Sequence, residues 1–207
     1  QNLIGIVLLS APEYNIPMRY ERIPDTLPIL SGEGLTLREL TEADLPAWFG
    51  RRTDTEAAAL AGDSIATSMQ DIVNSLEFHR GAFRARESLR WAIVPNEFGE
   101  SVGTIGLAAF DQTDRSAQIG YAIGRAHWNR GITTCAARLT LDYGFRVLGL
   151  ERIDATVLTG NGASIRVLEK LGFKLDEFRH ANNVVDKAPS TYALYSLERW
   201  LRNRGGC

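Results

Sequence analysis

The sequence predicts an α/β chain of the α+β type: a mixed, mostly antiparallel twisted sheet of about seven strands with helices on both faces. Three observations predict it. Four segments repeat apolar residues at helical spacing. Seven strand-like runs are bounded by turn residues. Three of those runs follow one another through connections too short for a crossover, so they must pair antiparallel.

Residues 1–32 hold Pro12, Pro17, Pro24 and Pro28 and lack helical periodicity. Apart from a strand expected at Leu3–Leu9, they read as an extended N-terminal arm. Residues 33–207 read as one domain without linker or repeat. "LTLREL" is the first strand. In "TEADLPAWF", Thr41 is placed to cap a helix, with Asp44 answering as a weak capping box. Residues 68–85 space Met69, Ile72, Val73, Leu76 and Phe83 as one helix. "LRWAIVP", "SVGTIGLAAF" and "SAQIGYAIG" are successive strands. After Gly131 comes a helix with Ile132, Ala136, Leu139, Tyr143 and Val147 along one stripe, stopped by Gly149. "RIDATVL" is a β-branched strand, "ASIRVLEKLG" a short helix, and "GFKLDEFRH" with "STYALYSL" a closing antiparallel pair.

The 207 residues suffice for a core without disulfides. A net charge of −2 argues against nucleic acid as a partner, because no basic excess exists to neutralise phosphates. Cys135 and Cys207 imply no disulfide framework, so a reducing compartment, the cytoplasm, is expected. His79, His127 and His180 are never at i, i+4 spacing, and no metal is expected. "LIGIVLLS" is too short to span a bilayer, so no membrane is expected either.

The stretch "AHWNRGITTCAARL" is the most informative. A helix N-terminus carries unpaired N–H groups and partial positive charge, and so attracts phosphate. Gly131 lets backbone approach a ligand, Asn129 tolerates positive φ, Arg130 can add charge, and Thr133 and Thr134 set hydroxyls in the first turn. By itself the segment fits a plain capped helix as well as an anion site.

Its context carries more. "IGYAIGRAHWNRGITT", "GFRVLGLERIDATV" and "NGASIRVLEKLGF" together resemble the GNAT-superfamily acyl-CoA N-acyltransferases over about Leu35 to Leu197. More narrowly they resemble the RimJ/RimL-like branch, whose better-known members acetylate protein N-termini. The resemblance implies acetyl-CoA as cosubstrate. Trp128, Asn129, Arg130, Gly131, Ile132, Thr133 and Thr134 then form the pyrophosphate turn. Ile123 holds the position whose backbone pairs with pantetheine and polarises the thioester carbonyl. Asn161 matches the pantetheine-bonding Asn, with Ser164 near the sulfur. Read alone, Asn161 is equally a turn residue and Ser164 a helix cap.

The sequence also departs from the pattern. Cys135 stands where the branch commonly has Glu, and a packed apolar role fits it better than a reactive thiol. Leu168 occupies the position of the Tyr acid found in many relatives, which leaves Ser164 as the nearest replacement donor. A base for the attacking amine is not specified: Glu87, Glu100, Asp176, Glu177 and Asp186 are carboxylate candidates, and Tyr121 is a hydroxyl candidate whose simpler role is a core aromatic. The expected reaction is acetyl transfer to a primary amine (EC 2.3.1 type), with a peptide N-terminus first and a small amine such as an antibiotic or polyamine second. An acyl-CoA-binding module without turnover is the rival of a different class. The apolar arm suggests homo-oligomers formed through it.

Overall fold

The computed structural model describes residues 20–61, 64–183 and 188–199. Eight strands form a single sheet: β1 (Leu30–Gly32), β2 (Leu35–Arg38), β3 (Ser88–Pro95), β4 (Gly103–Asp111), β5 (Ser116–Ile123), β6 (Arg152–Leu158), β7 (Lys174–Asn182) and β8 (Pro189–Glu198). Their order is β1-β2-β3-β4-β5-β6-β8-β7. Every neighbouring pair is antiparallel except β5 and β6. A parallel pair needs a crossover, and α4 (Ile132–Arg146) supplies it.

α4 and α5 (Gly162–Lys170) pack on one face of the sheet, where Trp91, Ile105, Leu107, Leu141, Ile153 and Leu168 belong to the larger core. On the opposite face lie α1 (Leu45–Thr53), α2 (Thr55–Ala61) and α3 (Met69–Arg84). There a smaller core joins Leu40, Trp48, Ile72 and Leu76 to Ala92 and Val94 of β3. β3 thus sends Leu89, Trp91 and Ile93 to one core and Ala92 and Val94 to the other. A strand covered on both faces reads as a continuous apolar run, as "LRWAIVP" does.

The capping residues behave as expected. Asp44 Oδ2 accepts the Thr41 N–H at 2.8 Å, at the head of a short 3₁₀ turn that leads into α1. Asp44 also takes both Nη atoms of Arg38 at 2.8 Å each.

The mixed, mostly antiparallel sheet is of the expected class, with an eighth, short strand because Leu30–Gly32 pairs with β2. The residues before that strand also pack on the domain. Ile23 is fully buried, and Tyr20 stacks on Phe110 and donates its hydroxyl to Leu148 O, so both belong to the larger core, with Leu27 and Leu30 packed against it. The strand expected at Leu3–Leu9 lies outside the described residues. α2 had no periodic signal. Val147 leaves the α4 stripe because the helix ends at Arg146, and its side chain is 59% exposed.

Candidate active site

β5 and β6 pair only at Ser116–Gln118 against Arg152–Asp154. Beyond this they diverge, and a cavity of about 250 Å³ opens between them. β5 remains paired to β4 along its other edge, as far as Ile123 opposite Gly103. The Gly124 N–H donates to Val102 O at 2.9 Å, which sets the alternation of that ladder. Even-numbered residues of β5 direct their amides to β4. Ile119, Tyr121 and Ile123 direct theirs to the open edge, and all three line the cavity. A strand edge with free amides inside a cleft is a template for an extended, amide-bearing ligand.

The mouth of the cavity is the loop from His127 to Thr134, every residue of which lines it. Asn129 (φ 59°) and Gly131 (φ 78°) are both left-handed. Gly131 is the N-cap of α4, and no side chain caps the helix. The first helical bond runs from Cys135 N–H to Gly131 O at 3.1 Å. The amides of Ile132, Thr133 and Thr134 therefore lack an intrahelical acceptor. A Cβ built on Gly131 meets nothing within 4 Å, so the approach to these amides is open. These features fit a diphosphate.

Arg130 departs from expectation. Its guanidinium pairs with Glu97 at 2.9 Å and lies 4.9 Å from the Phe98 ring centroid. The side chain is anchored to the turn between β3 and β4, and what it brings to the mouth is backbone. Trp128 donates its indole N–H to Ile123 O at 3.0 Å, tying the loop to the end of β5.

α2 forms the wall opposite, through Ala57 and Leu60. Arg125 holds it in place, donating to both oxygens of Asp54 at 2.8 and 2.7 Å and pairing with Glu56 at 2.6 Å. The Arg125 guanidinium, helped by the Ala57 N–H, lowers the Asp54 carboxyl to about 2.

Asn161 is the N-cap of α5. Its Oδ1 accepts the Ser164 N–H at 3.0 Å, and its Nδ2 donates to Leu60 O at 2.9 Å. The cap role thus falls to Asn161, which leaves the Ser164 hydroxyl for other work. Ser164 Oγ lies 2.7 Å from Tyr121 Oη, across the cleft between α5 and β5. Burial pushes the Tyr121 hydroxyl up to about 12, partly offset by that bond, so it stays protonated at any physiological pH. The position of the family's acid Tyr is filled by Leu168, which is 1% exposed and belongs to the core.

The carboxylate candidates do not gather here. Glu87 precedes Ser88, which pairs with Ala108; Ile123 pairs with Gly103, five rungs away, or about 17 Å along the ladder. Glu100 sits exposed in the turn before β4. Asp176 and Glu177 lie on β7, separated from β6 by β8. Asp176 accepts from Ser196 and Glu177 pairs with Arg179. None of these four lines the cavity, and Asp186 is outside the described residues. Among the described candidates of this group, Tyr121 is the one that the fold brings to the cavity.

Cys135 packs against the larger core, and burial together with the neighbouring Glu33 carboxylate raises its thiol, which disfavours a thiolate.

Sequence reasoning missed three titratable lining residues. Arg166 and Lys170 stand one turn apart on α5, and that i, i+4 spacing after Asn161 was the available signal. His127 had been weighed only as a metal ligand. Its ring is 5.2 Å from Phe98, and its Nδ1 is buried with no hydrogen-bond partner among the described residues. Among those residues no group of three or more His, Cys, Asp or Glu is placed to hold a metal. No helix among them is long and apolar enough to cross a membrane.

Comparison with known proteins agrees with this geometry. Residues 34–174 match the family described as Acetyltransferase (GNAT) domain. The uncharacterized N-acetyltransferase YoaA of Bacillus subtilis is 35% identical over 170 residues, which is 82% of this chain and 96% of that one. A spermidine N(1)-acetyltransferase of Escherichia coli K12 is 33% identical over 78 residues, covering 38% of this chain and 42% of its own. Among solved structures, Mycobacterium smegmatis RimJ in complex with CoA-disulfide superposes with a TM-score of 0.74 at 25% identity, over 86% of this chain and 90% of that one. A cleft between parting parallel strands, a left-handed glycine at the head of α4 and this breadth of similarity lead to one conclusion: the chain belongs to the GNAT acetyltransferases and is an N-acetyltransferase.

Proposed function

We propose that this chain moves an acetyl group from acetyl-CoA to the α-amino group of a peptide or protein, by direct attack of the neutral amine on the thioester. The observation that carries this reading is the open edge of β5, whose free amides at Tyr121 and Ile123 face the cavity. Acetyl-CoA supplies the acyl group as a thioester. The first-turn amides of α4 hold its diphosphate. The Ile123 N–H stabilises the negative charge that develops on the thioester oxygen, which is where a preorganised donor lowers the barrier most. Ser164 Oγ, oriented by Tyr121, hydrogen-bonds the departing thiolate.

The chemistry of the lining supports an acceptor with one amine. Arg166 and Lys170 line the cavity, and none of its described lining residues is a carboxylate. A polyamine needs anionic groups for its distal ammonium ions, and this lining would repel them. An α-amino group, with a pKa of about 7.7–8.0, is partly neutral at physiological pH and can lose its proton to water.

The test is thiol release from acetyl-CoA with a pool of peptides bearing free N-termini, run beside spermidine. Peptide-dependent release is expected. Ile123→Pro removes the one N–H and no ladder bond to β4, so kcat should fall by about 10²–10³-fold with coenzyme affinity nearly kept. Coenzyme binding without amine-dependent thiol would identify a binding module instead, and a preference for spermidine would replace the acceptor assignment.

A further inference from the structure

Arg90 is a cation buried in the middle of the sheet, 9% exposed. It alternates on β3 with Leu89 and Trp91 of the larger core, so its side chain leaves the sheet on the other face, with Ala92 and Val94. α3 covers it there with His79, a ring that burial and the guanidinium groups of Arg90, Arg51 and Arg52 hold uncharged. Arg90 pairs with Gly106 of β4, and Gly106 pairs with Gly120 of β5, so the three stand in one row across three strands. No side chain fits at Gly106, where a Cβ would meet the Leu89 carbonyl oxygen. The two glycines leave the row bare. Along it the Arg90 side chain crosses β4 and donates from Nη1 to Gly120 O at 3.0 Å.

Arg90 is not among the residues that line the cavity, and one peptide group separates it from the cleft. Even-numbered residues of β5 face β4, so the Gly120 carbonyl points there. In a trans peptide the following N–H points the opposite way. That is the Tyr121 N–H, on the open edge of β5. A peptide unit carries a dipole of about 3.5 D, here with its positive end on the cleft. A guanidinium on the negative end polarises the unit further, and out of water that polarisation is felt strongly at the other end. The Ile123 N–H is the outer free amide of the edge and Tyr121 the inner. Tyr121 is also the residue whose hydroxyl holds Ser164 Oγ.

We propose that Arg90 is a positioning residue for acyl transfer: through the Gly120–Tyr121 peptide it strengthens the Tyr121 N–H as a donor to the reacting thioester. The proposal rests on the transfer reaction given above. As the amine nitrogen bonds to the acyl carbon, negative charge gathers on the thioester oxygen. It then leaves with sulfur as the C–S bond breaks, and the proton of the amine goes to water. A donor backed by a fixed cation is aimed at this charge before it forms, which is where preorganised electrostatics act most.

The test compares Arg90→Met, which keeps the length and loses the charge, with Arg90→Lys, which keeps both, each checked by a thermal melt. CoA bound to the protein is titrated by the ultraviolet absorbance of its thiolate, which needs no acceptor, and transfer is followed with a peptide amine. Arg90→Met should raise the pKa of the bound thiol by about one unit and lower kcat by about tenfold, with KM for acetyl-CoA nearly kept. Arg90→Lys should recover most of both. In the ligand-free protein the Tyr121 amide nitrogen resonance should move in Arg90→Met and stay near its wild-type position in Arg90→Lys. A folded Arg90→Met with wild-type thiol titration overturns the proposal whatever the acceptor, and so does an Arg90→Lys as impaired as Arg90→Met. If Arg90→Met does not fold, Arg90→Gln replaces it under the same expectations; unfolding of both assigns Arg90 to stability and overturns the proposal. A chain that binds CoA and transfers to no peptide sinks the acceptor assignment alone, because the thiol titration still decides the role of Arg90.

Discussion

Gly131→Val separates the proposed ligand-binding role of one residue from its folding role. Gly131 has a φ of 78°, and its Cβ direction meets nothing within 4 Å. A side chain there is opposed by backbone strain alone, about 1–2 kcal/mol for an L-residue held in the left-handed region. At roughly 2–4 °C per kcal/mol for a chain of this size, Tm should fall by about 2–8 °C. Gly34 provides a control, with a φ of 79° and the same empty surroundings, in the turn between β1 and β2. Gly34→Val should lose a similar amount of Tm.

The two positions differ in what lies beside them. Valine at 131 stands in the mouth of the cavity, and relief of its strain turns away first-turn amides of α4. A hydrogen bond to a charged group is worth about 1.5–3 kcal/mol, so losing one weakens coenzyme binding by about 10- to 150-fold. Calorimetric titration of CoA into both variants, beside a thermal melt of each, gives the comparison. Weak binding by Gly131→Val with wild-type binding by Gly34→Val is expected. Equal affinities in the two variants would refute the diphosphate cradle.

Two further outcomes follow from side-chain geometry. Tyr121 reaches the chemistry through Ser164, so Ser164→Ala should lower kcat by about tenfold or more, Tyr121→Phe by less, and the double variant no further than Ser164→Ala alone; additive losses in steady-state kinetics would show two independent roles. Burial alone would raise the Asp44 carboxyl, but Arg38 and the Thr41 amide outweigh it and hold it below its ordinary value of 3.8. A depressed carboxyl contributes stability that is present above that value and lost as pH falls beneath it, so Asp44→Asn should cost about 1.5–3 kcal/mol near neutrality and progressively less below pH ~4, read from denaturant melts across pH.

How much was legible in the sequence depends on the range of the interaction responsible. Seven strands, four helices, the Thr41–Asp44 cap and the left-handed Asn129 and Gly131 follow from local pattern, because periodicity and backbone sterics act within a few residues. The diphosphate role proposed for the turn and the pantetheine role proposed for Asn161 rest on resemblance, since their spacing alone equally describes a capped helix and a turn. Pairing across long separations was not legible. Nothing local says that Tyr121 meets Ser164, 43 residues on, or that Arg125 reaches back 71 residues to Asp54. Nor does anything local put Glu87 at the wrong end of the sheet, because exposed carboxylates look alike in a sequence and only the strand register assigns each one a height. The parting of β5 from β6 was decided in the same way: each strand is ordinary by itself, and the cavity exists because the chain pairs them for three residues and then carries them apart.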